Sequence, residues 1–396
     1  MNTNPLCAAL AALALYTIPA RADWSSCLAE LRQAAAGYGV SEQTISSALG
    51  SLAPSDAASL MDKQPEFTTP VWDYIASLVD EERVEEGRAL MNKWAGALDA
   101  AERHFGVDPA TVVAIWSVES DFGKNLGNRP VVQSLATLAC LAPRRNEYFR
   151  RELMAALKIL DNGDIEPQEF LGSWAGAFGH TQFMPSTFLT TAVDLDGDGR
   201  KNIARDPADA LGSTANYLRQ AGWTPGLPWG LEVRLPAGYA GPSGRTNRQP
   251  MSTWASHGIT RLDGTPLSEG RAALLLPADR NGPAFLVTHN FEAVYAYNAA
   301  ESYALAICTL SDRLRGWPGI QTPWPTDDAA LSRSERRELQ ALLIKHGYDV
   351  SNFNGVIGTK TRKAIADFQV RAGMKRDGRA GLKVLNALRV LGDSAK

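Results

Sequence analysis

The chain has little cysteine, little net charge and few long apolar runs. Its 396 residues include four cysteines and carry a formal charge of −3 at neutral pH. A charge this small gives no reason to expect nucleic acid or an anionic membrane as a partner, and no basic stripe with interleaved aromatics occurs. Beyond residues 6–18, no stretch is long and apolar enough to span a bilayer. The sequence therefore predicts neither a nucleic-acid partner nor a transmembrane segment.

The apolar run near the N-terminus is typical of a signal peptide. It covers residues 6–18 and is followed by Ala20-Arg21-Ala22, an A-x-A cleavage signature. The first five residues carry no Lys or Arg, which departs from the usual pattern. Cys7 precedes most of the run, a poor place for a lipidated cysteine at a mature N-terminus. We expect residues 1–22 to be a signal peptide of an exported protein, with no clear mark of a lipoprotein.

Three cysteines remain after such a cleavage, enough for one disulfide. We favour a bond between Cys27 and Cys308, which would join the two ends of the main domain. Cys140, in L-A-T-L-A-C-L, is typical of a buried thiol in a helix. Three reduced and buried cysteines are the alternative.

The stretch D-P-A-T-V-V-A-I-W-S-V-E-S-D-F-G, residues 108–123, predicts one helix with defined ends. Asp108 can cap the first turn, Pro109 suits the first helical position, and Gly123 is a plausible stop. Val112, Ile115, Trp116 and Glu119 follow the helical spacing and share one apolar face. A carboxylate therefore lies in an apolar stripe near the helix end.

Glu119 is the candidate catalytic residue. Burial disfavours the charged form of a carboxyl group, and a Glu that keeps its proton near neutral pH suits a general acid. The alternative is a structural Glu that pairs with an arginine at the rim of a core.

The stretch G-S-W-A-G-A-F-G-H-T-Q-F-M-P, residues 172–185, combines glycines with aromatics and predicts the wall of a groove. A phosphate cradle is a poor interpretation, because no Lys-Ser or Lys-Thr follows and no strand clearly precedes. His180 is the only histidine near this site, and a structural role is more common for such a residue than that of a base.

An acidic loop follows. Asp194, Asp196 and Asp198, with Gly199 at the sixth position, match the first half of an EF-hand loop. The twelfth position is Arg205 rather than Glu, although Asp206 and Asp209 could supply a late ligand. The pattern favours a calcium site over an acidic turn in solvent.

The rest of the chain indicates further units. Residues 224–290 have the glycines, prolines and short apolar runs of a small β-containing insert, and residues 290–314 are continuously helical in pattern. A Pro-rich segment, residues 316–330, indicates a linker. Residues 331–393 then predict a small three-helix domain.

Taken together, the motifs resemble a known family. W-S-V-E-S-D-F-G at 116–123, P-R-R-N-E-Y-F at 143–149, the glycine-rich wall, the acidic loop and A-N-Y-L at 215–218 resemble the lytic murein transglycosylase B family across residues 25–315. The tail, with L-Q-A-L-L-I-K-H-G and T-R-K-A-I-A-D-F-Q, resembles the type 1 peptidoglycan-binding domain.

The resemblance implies a mainly α fold: a lysozyme-like helical catalytic domain over residues 23–315 with a small β-containing insert, and a three-helix C-terminal domain. It implies cleavage of the β-1,4 bond between N-acetylmuramic acid and N-acetylglucosamine in the periplasm. Glu119 would protonate the leaving oxygen and then deprotonate the muramyl 6-hydroxyl, which closes a 1,6-anhydro ring. This chemistry needs one acid/base residue and no cofactor, whereas ordinary glycosidases use two carboxylates.

The resemblance also implies roles for individual residues. Ser173 and Gln182 would bind the sugar near the cleaved bond, Tyr148, Tyr217 and Tyr297 would line the groove, and Asn298 would lie near the acetamido or 6-hydroxyl side. One structural calcium ion would be held by Asp194, Asp196, Asp198, Asp209 and the Arg200 carbonyl. Peptidoglycan strands are the implied partners, with enzymes of cell-wall synthesis or remodelling as the implied protein partners.

Two alternatives remain at the level of the sequence. One is a hydrolase that adds water to the same bond, like a lysozyme. The other is a scaffold that holds peptidoglycan without cutting it. A buried acid argues against the scaffold, since an unpaired buried carboxylate is costly to a protein that does not use it.

Overall fold

The computed structural model describes residues 24–61 and 69–393, so the predicted signal peptide lies outside the described residues. The fold is mainly helical, as predicted. The helices before the tail are α1 (Trp24–Gly37), α2 (Glu42–Leu49), α3 (Val71–Leu78), α4 (Glu81–Lys93), α5 (Ala95–Phe105), α6 (Pro109–Ser120), α7 (Val131–Leu141), α8 (Asn146–Asn162), α9 (Pro185–Thr191), α10 (Pro207–Gln220), α11 (Met251–Ser256), α12 (His289–Asn298) and α13 (Glu301–Leu314), with a 3-10 turn at Ala57–Leu60. No helix of the described ranges is long and apolar enough to cross a membrane.

Two sheets interrupt the helices. The strands are β1 (Arg129–Pro130), β2 (Leu171–Gly172), β3 (Gly230–Arg234), β4 (Arg248–Pro250), β5 (Thr260–Arg261), β6 (Arg271–Leu275), β7 (Pro277–Arg280) and β8 (Ala284–Val287). β1 pairs with β2, and the insert forms an antiparallel sheet in the order β4-β6-β8-β3-β5. The apolar runs of the insert thus become the central strand β8 and its neighbour β6, which are buried except for Arg271 at the start of β6.

Two apolar cores build the catalytic part. The first, here called the α6 core, packs α6 and α13 against α10 and one face of the insert sheet. The second, the α8 core, packs α7 and α8 with α1 and α9. Tyr217 and Tyr297 pack against both cores, so these two tyrosines mark the seam between them.

The disulfide expectation was wrong. Cys27 of α1 is bonded to Cys140 of α7, with 5.9 Å between their Cα atoms. Cys308 is free and buried. The reason is the division into two cores: Cys27 belongs to the α8 core, whereas Cys308 lies inside the α6 core. The bond therefore ties α1 to α7 within one core instead of joining the two ends of the domain.

The continuous helix predicted over residues 290–314 is also two helices. α12 ends at Asn298, because Ala299 adopts a left-handed conformation with φ of 44°, and α13 begins at Glu301. Alanine rarely adopts this conformation, so the sequence carries no signal for the break. The break turns the chain at the seam, with Tyr297 on one side and Tyr303 on the other.

The tail contains α14 (Arg333–Lys345), α15 (Thr359–Arg371) and α16 (Leu382–Asp393) around its own apolar core. Ser332 and Glu335 form a capping box that starts α14. The tail is docked on the catalytic part: the Arg379 guanidinium contacts the Asp73 carboxylate through Nε and Nη2, at 2.7 and 2.8 Å. The Pro-rich segment is bound as well, since Glu232 accepts the amides of Gln321 and Thr322. The segment is thus held against the catalytic part and is not a free spacer.

Candidate active site

α6 carries Glu119 and is fixed at both ends. The Asp108 carboxylate accepts the Thr111 amide at 2.8 Å and Pro109 occupies the first turn, as predicted. The helix stops at Ser120, because Asp121, Phe122 and Gly123 all have positive φ. The expected one-sided apolar stripe is wrong: every residue from Ala110 to Ser117 is buried, so α6 runs through the core with all of its faces covered.

Glu119 is half-buried at the end of this helix and contacts a tyrosine. Tyr303 Oη donates a hydrogen bond to Glu119 Oε1 over 2.5 Å. Burial, followed by the negative charge of Glu119, raises the pKa of Tyr303 well above its usual value, so this hydroxyl keeps its proton and acts as a donor. Arg83 pairs with Asp121, two positions after Glu119. Tyr303 was missed from the sequence, because it faces Glu119 only after the turn at Ala299.

A cavity of about 500 Å³ opens beside Glu119 at the seam of the two cores. Six of the seven predicted catalytic and sugar-binding residues line it. The lining consists of Met61, Glu119, Arg144, Arg145, Tyr148, Phe149, Ser173, Trp174, Ala175, Ala177, Gln182, Met184, Tyr297 and Asn298. Among the described residues of this lining, Glu119 is the single carboxylate.

The glycine-rich wall is built by close backbone approach. A Cβ at Gly127 would lie 2.1 Å from the carbonyl oxygen of Gly172, so no side chain fits there. Ser173 Oγ accepts the Ala177 amide at 3.1 Å, which closes the turn. Gln182 has φ of 53°, and its amide nitrogen donates to the carbonyls of Leu126 and Gly179. These contacts hold both polar side chains at the cavity wall.

Three tyrosines meet at the seam. Tyr297 Oη donates to the Thr181 carbonyl at 2.7 Å, and Tyr217 Oη donates to the Ala296 carbonyl at 2.8 Å. The Tyr217 and Tyr297 ring centroids are 4.8 Å apart, and the Tyr297 ring lies nearly parallel to that of Tyr303. Tyr217 is absent from the cavity lining and packs against Tyr297. The predicted groove tyrosines thus divide into two that line the cavity, Tyr148 and Tyr297, and one that contacts Tyr297 from outside the lining.

His180 has a structural place in the wall. Its Nδ1 accepts the indole N–H of Trp116 at 3.1 Å, and the ring packs edge-on against that indole. Burial lowers the pKa of His180, which keeps the imidazole neutral and able to accept. The histidine therefore joins the wall to α6, the helix of the candidate acid.

Arg144 and Arg145 also line the cavity and were not predicted as site residues. Arg145 adopts a left-handed conformation with φ of 64°, and its guanidinium lies 4.4 Å from the ring centroid of Tyr148. The signal was present in P-R-R-N-E-Y-F, where two arginines follow a helix-breaking proline. The pair gives the cavity rim positive charge that suits an anionic or carbonyl-rich ligand.

The acidic loop brings Asp194, Asp196 and Asp209 together, with ligand oxygens within 4.8 Å of one another. Asp209, at the start of α10, accepts the amides of Leu195 and Asn202 and so closes the loop. Burial, opposed by these amides and reinforced by nearby carboxylates, raises the pKa of Asp209.

Asp198 falls outside this group, and its carboxylate accepts the Arg200 amide at 2.8 Å. Three converging carboxylates offer only hard oxygen ligands and repel one another without a cation. The donor set therefore fits calcium.

A second cavity of similar volume lies between α3, α13 and the Pro-rich segment. Trp72 and Trp324 stand in its wall, but the wall holds no Asp, Glu or His among the described residues. The acid chemistry therefore belongs to the cavity beside Glu119.

Comparison with known proteins agrees with this site. A family model described as a transglycosylase SLT domain matches residues 23–312, and one described as a peptidoglycan binding domain matches residues 332–388. The chain belongs to the transglycosylase SLT domain family and is an enzyme of the lytic transglycosylase class. It is 33% identical to the membrane-bound lytic murein transglycosylase B of Escherichia coli over 263 residues, 63% of this chain and 68% of that protein.

Solved structures of relatives have the same fold. SltB3 from Pseudomonas aeruginosa, in complex with NAG-anhNAM-pentapeptide, is 43% identical, with a TM-score of 0.74 over 93% of this chain and all of that one. The Escherichia coli lytic transglycosylase Slt35, solved in complex with calcium, is 30% identical, with a TM-score of 0.65 over 73% of this chain and 92% of that one. The first likeness extends through the docked tail as well as the catalytic part.

Proposed function

We propose that the protein cleaves the β-1,4 bond between N-acetylmuramic acid and N-acetylglucosamine of peptidoglycan and leaves 1,6-anhydromuramic ends. The observation that carries this proposal is the single described carboxylate, Glu119, in the lining of the cavity. Hydrolysing glycosidases set two carboxyl groups across the bond, one for the leaving oxygen and one for the nucleophile or water. A site with one acid suits a substrate that supplies its own nucleophile.

In the proposed reaction Glu119 acts twice. It first donates its proton to the oxygen that leaves with N-acetylglucosamine. It then takes the proton of the muramyl 6-hydroxyl as that oxygen bonds to the anomeric carbon, so the acid is restored and no water is consumed. The Tyr303 hydroxyl, which donates to Glu119, would stabilise the carboxylate between the two steps.

The remaining lining residues would hold the sugars. Ser173, Gln182 and Asn298 would bind them through polar atoms, and Tyr148 and Tyr297 through their rings, since all five residues line the cavity. Positioning the 6-hydroxyl near the anomeric carbon makes the second step effectively unimolecular, an advantage over capture of water. Tyr217 would act through Tyr297.

Three further features belong to the proposal. Asp194, Asp196 and Asp209 would hold a structural calcium ion, with Asp198 and the Arg200 carbonyl as further candidate ligands. The ion would stabilise the loop and take no part in the chemistry. Residues 1–22 would direct export to the periplasm. Residues 23–315 would form the catalytic domain, residues 316–330 a linker and residues 331–393 a domain that binds peptidoglycan strands.

The products decide the function. Purified peptidoglycan is digested and the fragments are weighed by mass spectrometry. We expect muramyl ends that are lighter by one water than those left by a lysozyme. Fragments at the hydrated mass would overturn the anhydro product and indicate a hydrolase. Retention on the cell wall without any fragments would indicate a scaffold.

A further inference from the structure

The tail touches the catalytic part through arginines at the start of α14. Arg336 Nη1 donates to the Ala76 carbonyl of α3, and Arg337 Nη1 lies 2.8 Å from the Glu82 carboxylate of α4. Both contacts fasten the tail to the outside of the catalytic part. A third arginine, Arg333, reaches further, to the helix of Glu119.

Arg333 bridges two carboxylates of the catalytic part. Its Nη2 is 3.4 Å from Asp121 Oδ1, and its Nε is 3.5 Å from Asp80 Oδ2. The Arg333 side chain is 14% exposed, that of Asp80 is 3% exposed and that of Asp121 is 22% exposed, so water screens the contact with Asp80 least. Asp121 is the residue that ends α6 in a left-handed conformation, two positions after Glu119.

A second arginine holds the same turn from the catalytic side. Arg83 Nη2 is 3.2 Å from Asp121 Oδ1, and Arg83 Nη1 donates to both the carbonyl and the hydroxyl of Ser117 at 2.7 Å. The last turn of α6 is therefore contacted by two arginines, Arg83 of the catalytic part and Arg333 of the tail. Lys124 Nζ also lies 4.0 Å from Asp121 Oδ2, and the buried Arg336 interacts electrostatically with Asp80. Removal of Arg333 therefore takes away the tail's own contact with Asp121 and leaves the other cations in place.

The position of this cluster gives it a consequence for the reaction. Glu119 lies between Ser117 and Asp121, the two residues that the arginines hold. An acid must lie within hydrogen-bond reach of the leaving oxygen, and a shift of about 1 Å can cost a hundredfold in rate. Docking of the tail therefore affects the position of Glu119 as well as the binding of the protein to peptidoglycan.

We propose that Arg333 of the tail is a positioning residue for Glu119 and acts through Asp121. The inference rests on the proposed role of Glu119 as acid. It makes the C-terminal domain a structural part of the active site, so that removing this one contact slows cleavage even on short glycans that need no second binding domain.

The test compares two arginines of one helix turn in the full chain. Arg333→Met removes the contact with Asp121, whereas Arg337→Met removes the exposed pair with Glu82 and serves as the matched control. Turnover of a short soluble peptidoglycan fragment is measured together with the melting temperature. We expect Arg333→Met to lower kcat about tenfold with KM nearly unchanged, and Arg337→Met to leave both within twofold.

A double-mutant cycle with Asp121→Asn tests the route of the effect. Asn tolerates the left-handed conformation of residue 121 and removes its charge. If Arg333 acts through Asp121, Arg333→Met has little further effect on kcat in the Asp121→Asn background. Additive losses would overturn this route, and an unchanged kcat in Arg333→Met would leave Arg333 a docking residue only.

Two more variants keep the result interpretable. If Arg333→Met does not fold, Arg333→Lys is used, which keeps the positive charge but loses the two-pronged guanidinium group. A severalfold lower kcat in a variant that melts at the same temperature as the wild type supports the proposal. An unchanged kcat in that variant overturns it. Glu119→Gln is assayed alongside. If this variant retains activity, the proposed acid is wrong. If it is inactive while the Arg333 variants keep the wild-type kcat, only the positioning role of Arg333 is overturned.

Discussion

The cavity beside Glu119 and the acidic loop are held together in opposite ways. In the cavity, the key contact joins Glu119 to Tyr303, 184 positions later in the chain. In the loop, Asp194 accepts the amides of Gly197 and Gly199, and Asp209 accepts the Leu195 amide, 14 positions away. The carboxylates of the loop are thus joined by local contacts, whereas the cavity exists only when both cores are packed.

This difference separates activity from stability. The cavity residues lie on helices and on the glycine-rich wall, and both are held by the surrounding cores. Conservative changes at the cavity surface should therefore alter the reaction more than the fold. Asp194, Asp196 and Asp209 lie outside the cavity lining, so changes at these carboxylates should alter the stability and leave the reaction nearly intact. The following measurements test each side of this contrast, beginning with the largest effect.

Glu119→Gln should have the largest effect. The amide keeps the shape of the side chain but can neither donate nor take up the proton in question, so peptidoglycan cleavage should fall by about 10²–10⁴-fold. Turbidity clearing of purified peptidoglycan measures the loss. Binding to the cell wall and the melting temperature should stay close to those of the wild type. A folded Glu119→Gln protein with near-normal clearing would end the assignment.

Tyr303→Phe should have a smaller effect on the same reaction. It removes one hydrogen bond to a carboxylate and leaves the ring in its buried place, so kcat should fall about tenfold. Since the hydroxyl stabilises the ionised form of Glu119, its loss favours the protonated form, and the alkaline limb of the pH–rate profile should move to higher pH.

Tyr297→Phe is the matched control for that variant, because the Tyr297 hydroxyl donates to the Thr181 carbonyl and not to the acid. A similar shift of the pH limb in both variants would show that loss of any buried tyrosine hydroxyl loosens the seam. The proposal that the Tyr303 hydroxyl acts directly on the ionisation of Glu119 would then be wrong.

The same contrast explains which features the sequence could predict. Asp108 and Pro109 predict the start of α6, and the D-x-D-x-D-G pattern predicts the acidic loop, because both signals lie within a few residues of the structure they specify. The turn at Ala299, the partner Tyr303 and the burial of α6 on all sides have no local signal and depend on how the cores pack. The predicted bond between Cys27 and Cys308 was wrong for the same reason. Only the division into two cores shows that Cys140 shares a core with Cys27 and that Cys308 does not. Arg333 contacts Asp121 only because the tail docks on the catalytic part. The Pro-rich segment predicts a linker and gives no sign of this docking.

Calcium should affect the loop side of the contrast alone. If Asp194, Asp196 and Asp209 bind the ion, a hundredfold excess over Kd should add about 2.7 kcal/mol to the free energy of unfolding. Melting curves with calcium and with a chelator measure this, and kcat should change little. Asp194→Asn should abolish the response, and Asp263→Asn, which alters an exposed carboxylate in another loop, should retain it. Identical melting curves in calcium and chelator would leave the loop an acidic turn in solvent.

The smallest effect concerns pH and the wall of the cavity. Burial lowers the pKa of His180 in the folded protein, whereas the unfolded chain titrates near pH 6.5. Below pH 6.5 the unfolded state therefore binds a proton that the folded state resists, and stability falls as the pH falls, by at most about 1.4 kcal/mol per pH unit for one proton. His180→Gln keeps an acceptor for the Trp116 indole but does not titrate, so its unfolding free energy between pH 6.5 and 5 should fall less than that of the wild type. His104→Gln, at an exposed site, is the control and should follow the wild type. Parallel curves for all three proteins would mean that acid acts elsewhere, with the carboxylates of the acidic loop as the next group to test.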